Sequence, residues 1–262
     1  MLQLNKRLLF LPLLLFSIFL AAPTVHSREQ ILVGVAHFPP FIINEGGTVG
    51  GLAMHMLELM NAEQSKYEFI ALPTLSTTRH KIFDLGRYDM SMFDNLDWGW
   101  KGRDVDASDV YLRGGEIYIT QAEPGKGQEY FDSFKNKKMV GIEGYHYGFA
   151  DFNSDPAYLI QNFDIELTRS NAGSIQMILA GRGDIAVVTK SYLAMYLNEH
   201  PGDRDKLLLS TKFDQTYQHR IILRRNIKLT IGEINTMLAS LKQSGKLDAL
   251  WAKINLDGAD QL

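Results

Sequence analysis

A short pattern occurs twice in this chain and constrains its fold more than any other feature. Leu85-Gly86-Arg87-Tyr88-Asp89 is echoed by Ala180-Gly181-Arg182-Gly183-Asp184. In both places a helix-like stretch ends, Gly-Arg-x-Asp follows, and an apolar run begins. Glycine suits the left-handed position that stops a helix, and arginine suits its negative end. The aspartate then stands at the start of a strand, where its carboxylate can cap neighbouring backbone amides. The pattern therefore predicts two related α/β units, and a structural rather than catalytic role for Asp89 and Asp184.

The flanking segments extend the echo. Ile31–Val35 reads as a buried opening strand, Gly51–Ala62 as a helix, Tyr67–Leu72 as a strand, Thr78–Leu85 as a helix and Met90–Phe93 as a strand. Met139–Ile142 resembles the opening strand through its Val-Gly-aliphatic core, Asn171–Ala180 reads as a helix, and Ile185–Val188 as the strand after it. Alternation of this kind predicts an α/β fold. Between the halves Glu116–Thr120 is strand-like, His219–Leu223 is another strand, and two helices, Ile231–Ser244 and Lys246–Lys253, close the chain. Asn44-Glu45-Gly46-Gly47 reads as a hairpin tip, since no helix-plus-lysine pattern follows to make it a phosphate cradle.

The ends and the composition narrow the setting. Lys6 and Arg7 precede an apolar run from Leu8 to Ala22, then Pro23–Ser27. This is the layout of a cleavable signal peptide, cut after Ser27; the run is shorter than the roughly 20 residues that span a bilayer. The chain has no cysteine, which excludes disulfides, thiolate nucleophiles, cysteine metal sites and a lipidated cysteine. Removing the leader takes the formal net charge from −3 to −5, and no basic stripe favours nucleic acid. A free, exported, periplasmic monomer with no metal or cofactor is expected.

The order and separation of further short markers bring a resemblance. These are Pro39-Pro40-Phe41, Gly50-Gly51-Leu52, Gly86–Asp89, Val105-Asp106-Ala107-Ser108-Asp109-Val110-Tyr111, Gly141-Ile142-Glu143-Gly144, Gly181–Asp184 and the final two helices. Together they resemble the periplasmic solute-binding proteins of polar amino acid ABC importers, over nearly the whole mature chain. The resemblance implies an α/β, two-lobed, type 2 periplasmic-binding-protein-like fold with a hinge and an interlobe cleft. The implied division is 1–27 signal peptide, 28–118 first part of lobe 1, 119–217 lobe 2, and 218–262 the return to lobe 1.

The resemblance also implies the contacts. Ligands would sit on the loops after the strands, which selects Phe41, Asp94, Asn95, Trp98, Trp100, Lys101 and Arg103 from lobe 1. Tyr145, His146, Tyr147 and Thr189 come from lobe 2. Three family positions depart from the pattern. Where the family has Thr-x-x-Arg to hold a carboxylate, this chain reads Trp98-Gly99-Trp100-Lys101-Gly102-Arg103, so either Lys101 or Arg103 would be the cation. The ammonium-binding aspartate position, five residues beyond Asp184, is Thr189. The second lobe's first loop has Tyr145-His146-Tyr147 after Gly144 in place of Thr or Ser. Aromatic walls of this kind suit a planar or cationic solute, a sugar or an aromatic acid. Phe41 can equally belong to the core, and one of Trp98 and Trp100 is expected to pack.

The implied function is capture of a small polar solute, an amino acid or amino-acid-like, by hinge closure, with an ABC permease as partner and no catalysis. The alternatives are a periplasmic sensor reporting to a membrane receptor, or an enzyme acting on cyclohexadienyl acids, as some relatives do.

Overall fold

The computed structural model describes residues 27–254. The expected signal peptide, save Ser27, lies outside the described residues. In chain order the strands are β1 (Glu29–Ala36), β2 (Ile43–Glu45), β3 (Thr48–Gly50), β4 (Tyr67–Thr74), β5 (Met90–Asp94), β6 (Val105–Ala107), β7 (Leu112–Gln121), β8 (Met139–Ile142), β9 (Ile165–Thr168), β10 (Ile185–Thr189) and β11 (Leu207–Arg224). The α-helices are α1 (Leu52–Glu63), α2 (Arg79–Asp84), α3 (Pro156–Asn162), α4 (Asn171–Leu179), α5 (Lys190–Glu199), α6 (Ile231–Gln243) and α7 (Lys246–Trp251).

Nine of these strands join in one sheet, β4-β1-β5-β11-β7-β10-β8-β9 with β6 also on β11, and β2 and β3 pair as a separate antiparallel hairpin. Lobe 1 holds β4, β1 and β5 in parallel, with β11 antiparallel to β5. Lobe 2 repeats that order, with β9, β8 and β10 parallel and β7 antiparallel to β10. The strands that cross between lobes, β7 and β11, pair with each other from Leu112↔His219 to Gln121↔Leu207. Apolar side chains of β1, β5, α1, α6 and α7 form the lobe 1 core, among them Val33, Met56, Met90 and Leu241. Lobe 2 buries two clusters, one around Ile119, Ile175 and Val188, the other around Tyr118, Phe131 and Tyr147. Arg28, just before β1, ties that end of the strand to β4 and α1 through the carbonyls of Tyr67 (2.6 Å) and Asn61 (2.8 Å).

The repeated tetrad does in both lobes what its residues predict. Gly86 and Gly181 lie at φ 72° and 66°. Each ends its helix in a Schellman turn: Gly86 and Arg87 donate to Phe83 and Ile82, and Gly181 and Arg182 to Ile178 and Met177. Asp89 accepts from the amide of Leu32 at 2.9 Å, and Asp184 from that of Lys138 at 2.7 Å.

That equivalence corrects the sequence alignment of the two opening strands. Val33 pairs with Met90, and Met139 with Ile185, so Gly34 matches Val140 and the shared Val-Gly lies one residue out of register. The packing explains the offset. Tyr88 lies against Gly34, where a Cβ would come within 2.6 Å of its ring, whereas in lobe 2 Val140 lies against Gly183, with a would-be Cβ at 2.4 Å. Large and small have changed places.

Candidate functional site

A cavity lies between the lobes at the carboxyl ends of β1, β5 and β8, where open α/β sheets place their ligands. Ala36, Phe38, Arg79 and Trp98 reach it from lobe 1, Gly144, Tyr145 and His146 from lobe 2, and Glu116 and Gln215 from the crossing strands. It measures about 40 Å³, room for a few water molecules, so this is a closed form. The lobes touch where a Cβ on Gly144 would meet Ser76 and the Thr77 amide at 3.0 Å. Gly144 also sits at φ 80°, so any side chain there strains the backbone as well as parting the lobes. Trp98 Nε1 donates to Gln215 Oε1 at 2.9 Å, and Gln215 in turn donates to the His146 carbonyl.

The lobe 1 wall carries a compensated charge pair. Asp94 is 1% exposed and accepts from Arg79 (3.1 Å), the Ser91 hydroxyl (2.8 Å) and the Asn95 amide (3.0 Å). Arg79 also donates to the Trp98 carbonyl at 3.2 Å, while its Nε has no partner among the described residues. The Tyr88 hydroxyl donates to the Arg79 carbonyl at 3.1 Å, fixing the start of α2. Phe93, before Asp94, is held at φ 53°, with its amide donating to the Tyr111 hydroxyl.

The lobe 2 side carries a carboxyl of another kind. Glu116 is 2% exposed. Its Oε1 accepts from the Thr189 hydroxyl at 3.1 Å and the Tyr217 hydroxyl at 3.5 Å. Oε2 has no partner among the described residues. Burial, helped by the nearby Asp214, pushes its pKa up to about 8 against the hydrogen bonds from Thr189 and Tyr217. Phe38 is the hub of the aromatic wall, with ring centroids 5.5 Å from Trp98 and 5.6 Å from Tyr145. Three imidazoles lie near these groups, His146 and His219 buried and His80 half-buried, and burial holds each neutral: His80 at about 3, His146 at about 2 and His219 at about 3.

Of the residues selected from sequence, Trp98, Tyr145 and His146 line this cavity. Asp94 stands behind it as the partner of Arg79, and Asn95 is buried beside Asp94. Thr189 is fully buried behind Glu116, held by Asn171. The other five lie elsewhere. Phe41 is a core residue stacked 5.3 Å from Phe93. Trp100 packs 5.0 Å from Phe83 under α2, and Tyr147 is fully buried, its hydroxyl accepting from the Ile142 amide. Lys101 is exposed and pairs with Asp97, and Arg103 pairs with Asp84. Left-handed turns at Gly99 and Gly102 carry both cations to the surface of lobe 1.

Among the cavity residues that escaped the sequence reading are Phe38, Arg79, Glu116 and Gln215. The last three left a trace. Arg79 is a cation in the first turn of a helix, where peptide dipoles disfavour it. Glu116 is an acid directly before the apolar run 117–119 of β7. Gln215, Tyr217 and His219 alternate as buried residues with exposed Thr216 and Gln218, a strand pattern hidden by its polar membership.

Comparison with known proteins gives fold and no more. No protein-family model matches the chain, and no curated protein matches it. Solved structures do. An ABC uptake transporter substrate binding protein from Streptococcus pneumoniae with bound histidine is 17% identical, at TM-score 0.69 over 88% of this chain and 94% of that one. A mutant of ArgBP from T. maritima is 18% identical, at TM-score 0.66 over 88% and 97%. An ancestral amino acid-binding protein, described as a precursor of cyclohexadienyl dehydratase, is 19% identical, at TM-score 0.65 over 86% and 94%. The chain has the two-lobed α/β fold of these binding proteins.

Proposed function

We propose, on the premise of that fold, that this chain is an exported solute-binding protein. Its lobes close on a small polar solute, which it delivers to an ABC importer. One observation carries the reading: the walls of the cavity come from both lobes, so only the closed form offers a solute all of its contacts. A ligand that prefers the closed form shifts the population toward it, and binding needs no chemical step. The cavity is smaller than a solute, so entry requires the lobes to part. Two of the structural neighbours support capture, one described as a transporter substrate-binding protein with bound histidine, the other as an ancestral amino acid-binding protein. The expected leader, and the finding that no described helix is long and apolar enough to cross a membrane, support a periplasmic protein free of the bilayer.

The test uses residues 28–262. Thermal unfolding is recorded against amino acids, amines, betaines, sugars and small aromatic acids, with small-angle scattering on each hit. A solute at a hundredfold excess over Kd adds about 2.7 kcal/mol of stability, a shift of several degrees, and is expected to reduce the radius of gyration. A cyclohexadienyl acid included in the panel is expected to remain unconverted by proton NMR. Failure of every compound to shift the transition, or turnover of the acid, would sink the reading.

A further inference from the structure

The charges around the cavity do not balance, and the imbalance has a sign. Arg79 is neutralised by Asp94 at 3.1 Å. Lys101 and Arg103 are paired at the surface with Asp97 and Asp84. Burial holds His80, His146 and His219 neutral, and lowers His37 as well. Among the described residues, a carboxylate entering this space would meet no cation that lacks an acidic partner, and it would face the Glu116 carboxyl. A cation would meet an unpartnered oxygen, Glu116 Oε2, and the faces of Phe38, Trp98 and Tyr145, which attract positive charge.

The position of Glu116 sharpens this. Thr189 stands where the resembled family places the acid that holds an α-ammonium, and it pairs in register with Glu116 on the adjacent strand. Its hydroxyl donates to Glu116 Oε1 at 3.1 Å. Glu116 thus stands beside the end of β10, and Thr189 orients it. We infer that Glu116 is the anchoring carboxylate of the cleft, and that the solute is an organic amine, primary or quaternary, with no carboxylate of its own. This rests on the solute-capture reading above.

The arrangement couples binding to a proton. The groups facing Glu116 are Thr189 from β10 and Asp214 and Tyr217 from β11, with Tyr145 and Tyr147 from the loop after β8. Arg79 acts on the same Tyr145 from across the cleft. Asp214 is held by the Tyr118 hydroxyl and the Gly148 and Phe149 amides, although burial raises its pKa, and burial pushes Tyr145 and Tyr147 well above the ordinary tyrosine value. Glu116, at about 8 in the empty cleft, is thus the acid that must ionise as the cation enters. Binding releases a proton, and affinity falls about tenfold per pH unit below about pH 8.

The experiment uses matched pairs that differ by a carboxylate: histamine and L-histidine, agmatine and L-arginine, tyramine and L-tyrosine, tetramethylammonium and glycine betaine. Calorimetric titration at about pH 6 and about pH 8, in buffers of different ionisation enthalpy, reads affinity and proton release together. In at least one pair the decarboxylated member is expected to bind at least about tenfold tighter, and tighter at the higher pH. Glu116→Gln is expected to fold with an unchanged circular dichroism spectrum and to lose at least about tenfold in affinity. The inference is overturned if the carboxylated member binds as tightly or better, if Glu116→Gln binds like the parent, or if no member binds at about 10 mM. Should an amino acid or sugar from the wider panel bind instead, capture stands and only the amine assignment falls.

Discussion

Arg79 occupies a helix start that repels cations, and it does so because Asp94 has been taken out of water to meet it. Neither charge is tolerable alone at that depth, since breaking such a pair costs about 3–5 kcal/mol. The pair is therefore a fixed wall of the cleft, whereas Glu116 is its titrating member. The two kinds of buried group predict a pH profile for the empty protein. His80, His146 and His219 have folded pKa values of about 3, 2 and 3 against an ordinary 6.5. Below 6.5 the unfolded chain takes up protons that the folded chain refuses, so stability drops as pH falls. Glu116 runs the other way: its folded value of about 8 exceeds the ordinary 4.5, so its protonated form favours the folded state at low pH and that advantage fades as pH rises from 4.5 to 8. Three groups outweigh one below 6.5 and Glu116 dominates above it, so stability should peak near 6.5. Urea titrations across pH check this, and Glu116→Gln should flatten the alkaline limb alone; a limb unchanged by that substitution would mean that Glu116 is not the group. Trp98, Tyr145 and His146 were legible in the sequence because they follow recognisable strand ends. Arg79 and Glu116 were not, because what selects them is a partner brought from elsewhere: Asp94 for one, Thr189 for the other.

The elements themselves were largely legible, since glycine stops and apolar runs are local signals. The exception is β11, expected at His219–Leu223 and found to begin at Leu207. Its buried face carries Gln215, Tyr217 and His219, which serve the cleft and the crossing, so the apolar alternation that marks a strand is missing there. The one-residue offset between the opening strands was equally hidden, because register is set by the Asp89 and Asp184 bonds and by the Gly34–Tyr88 and Val140–Gly183 contacts. The lobe 1 contact also reaches the site, since Tyr88 holds the carbonyl of Arg79. Gly34→Ala would place a methyl group 2.6–2.8 Å from three ring atoms of Tyr88, and overpacking of that kind costs about 1–3 kcal/mol. Chemical denaturation should show this loss together with weaker solute binding, through the displaced Arg79. Combining it with Tyr88→Phe, which keeps the ring, should give no relief, whereas Tyr88→Leu should recover part of the stability.

At the scale of the whole molecule, Gln215 is the polar link between Trp98 of lobe 1 and the His146 backbone of lobe 2. Gln215→Ala removes both bonds and is expected to raise the radius of gyration of the empty protein, with the unfolding transition moving by no more than about 1 kcal/mol per bond lost. An unchanged radius would show that the lobes are held shut by other contacts. The same strand has a consequence for how the chain assembles. All the strands of lobe 2 come from a continuous run between Leu112 and His219, so that lobe can form as its residues become available. Lobe 1 cannot, because β5 waits for β11, with Asp94 meeting Arg220, and α1 waits for α6 and α7. Closing so long a loop carries an entropic cost that local contacts do not, and pairing between distant residues slows folding. The first half of lobe 1 is made before lobe 2 and stays without its partners until β11, α6 and α7 follow: of the two lobes, the one begun first is completed second.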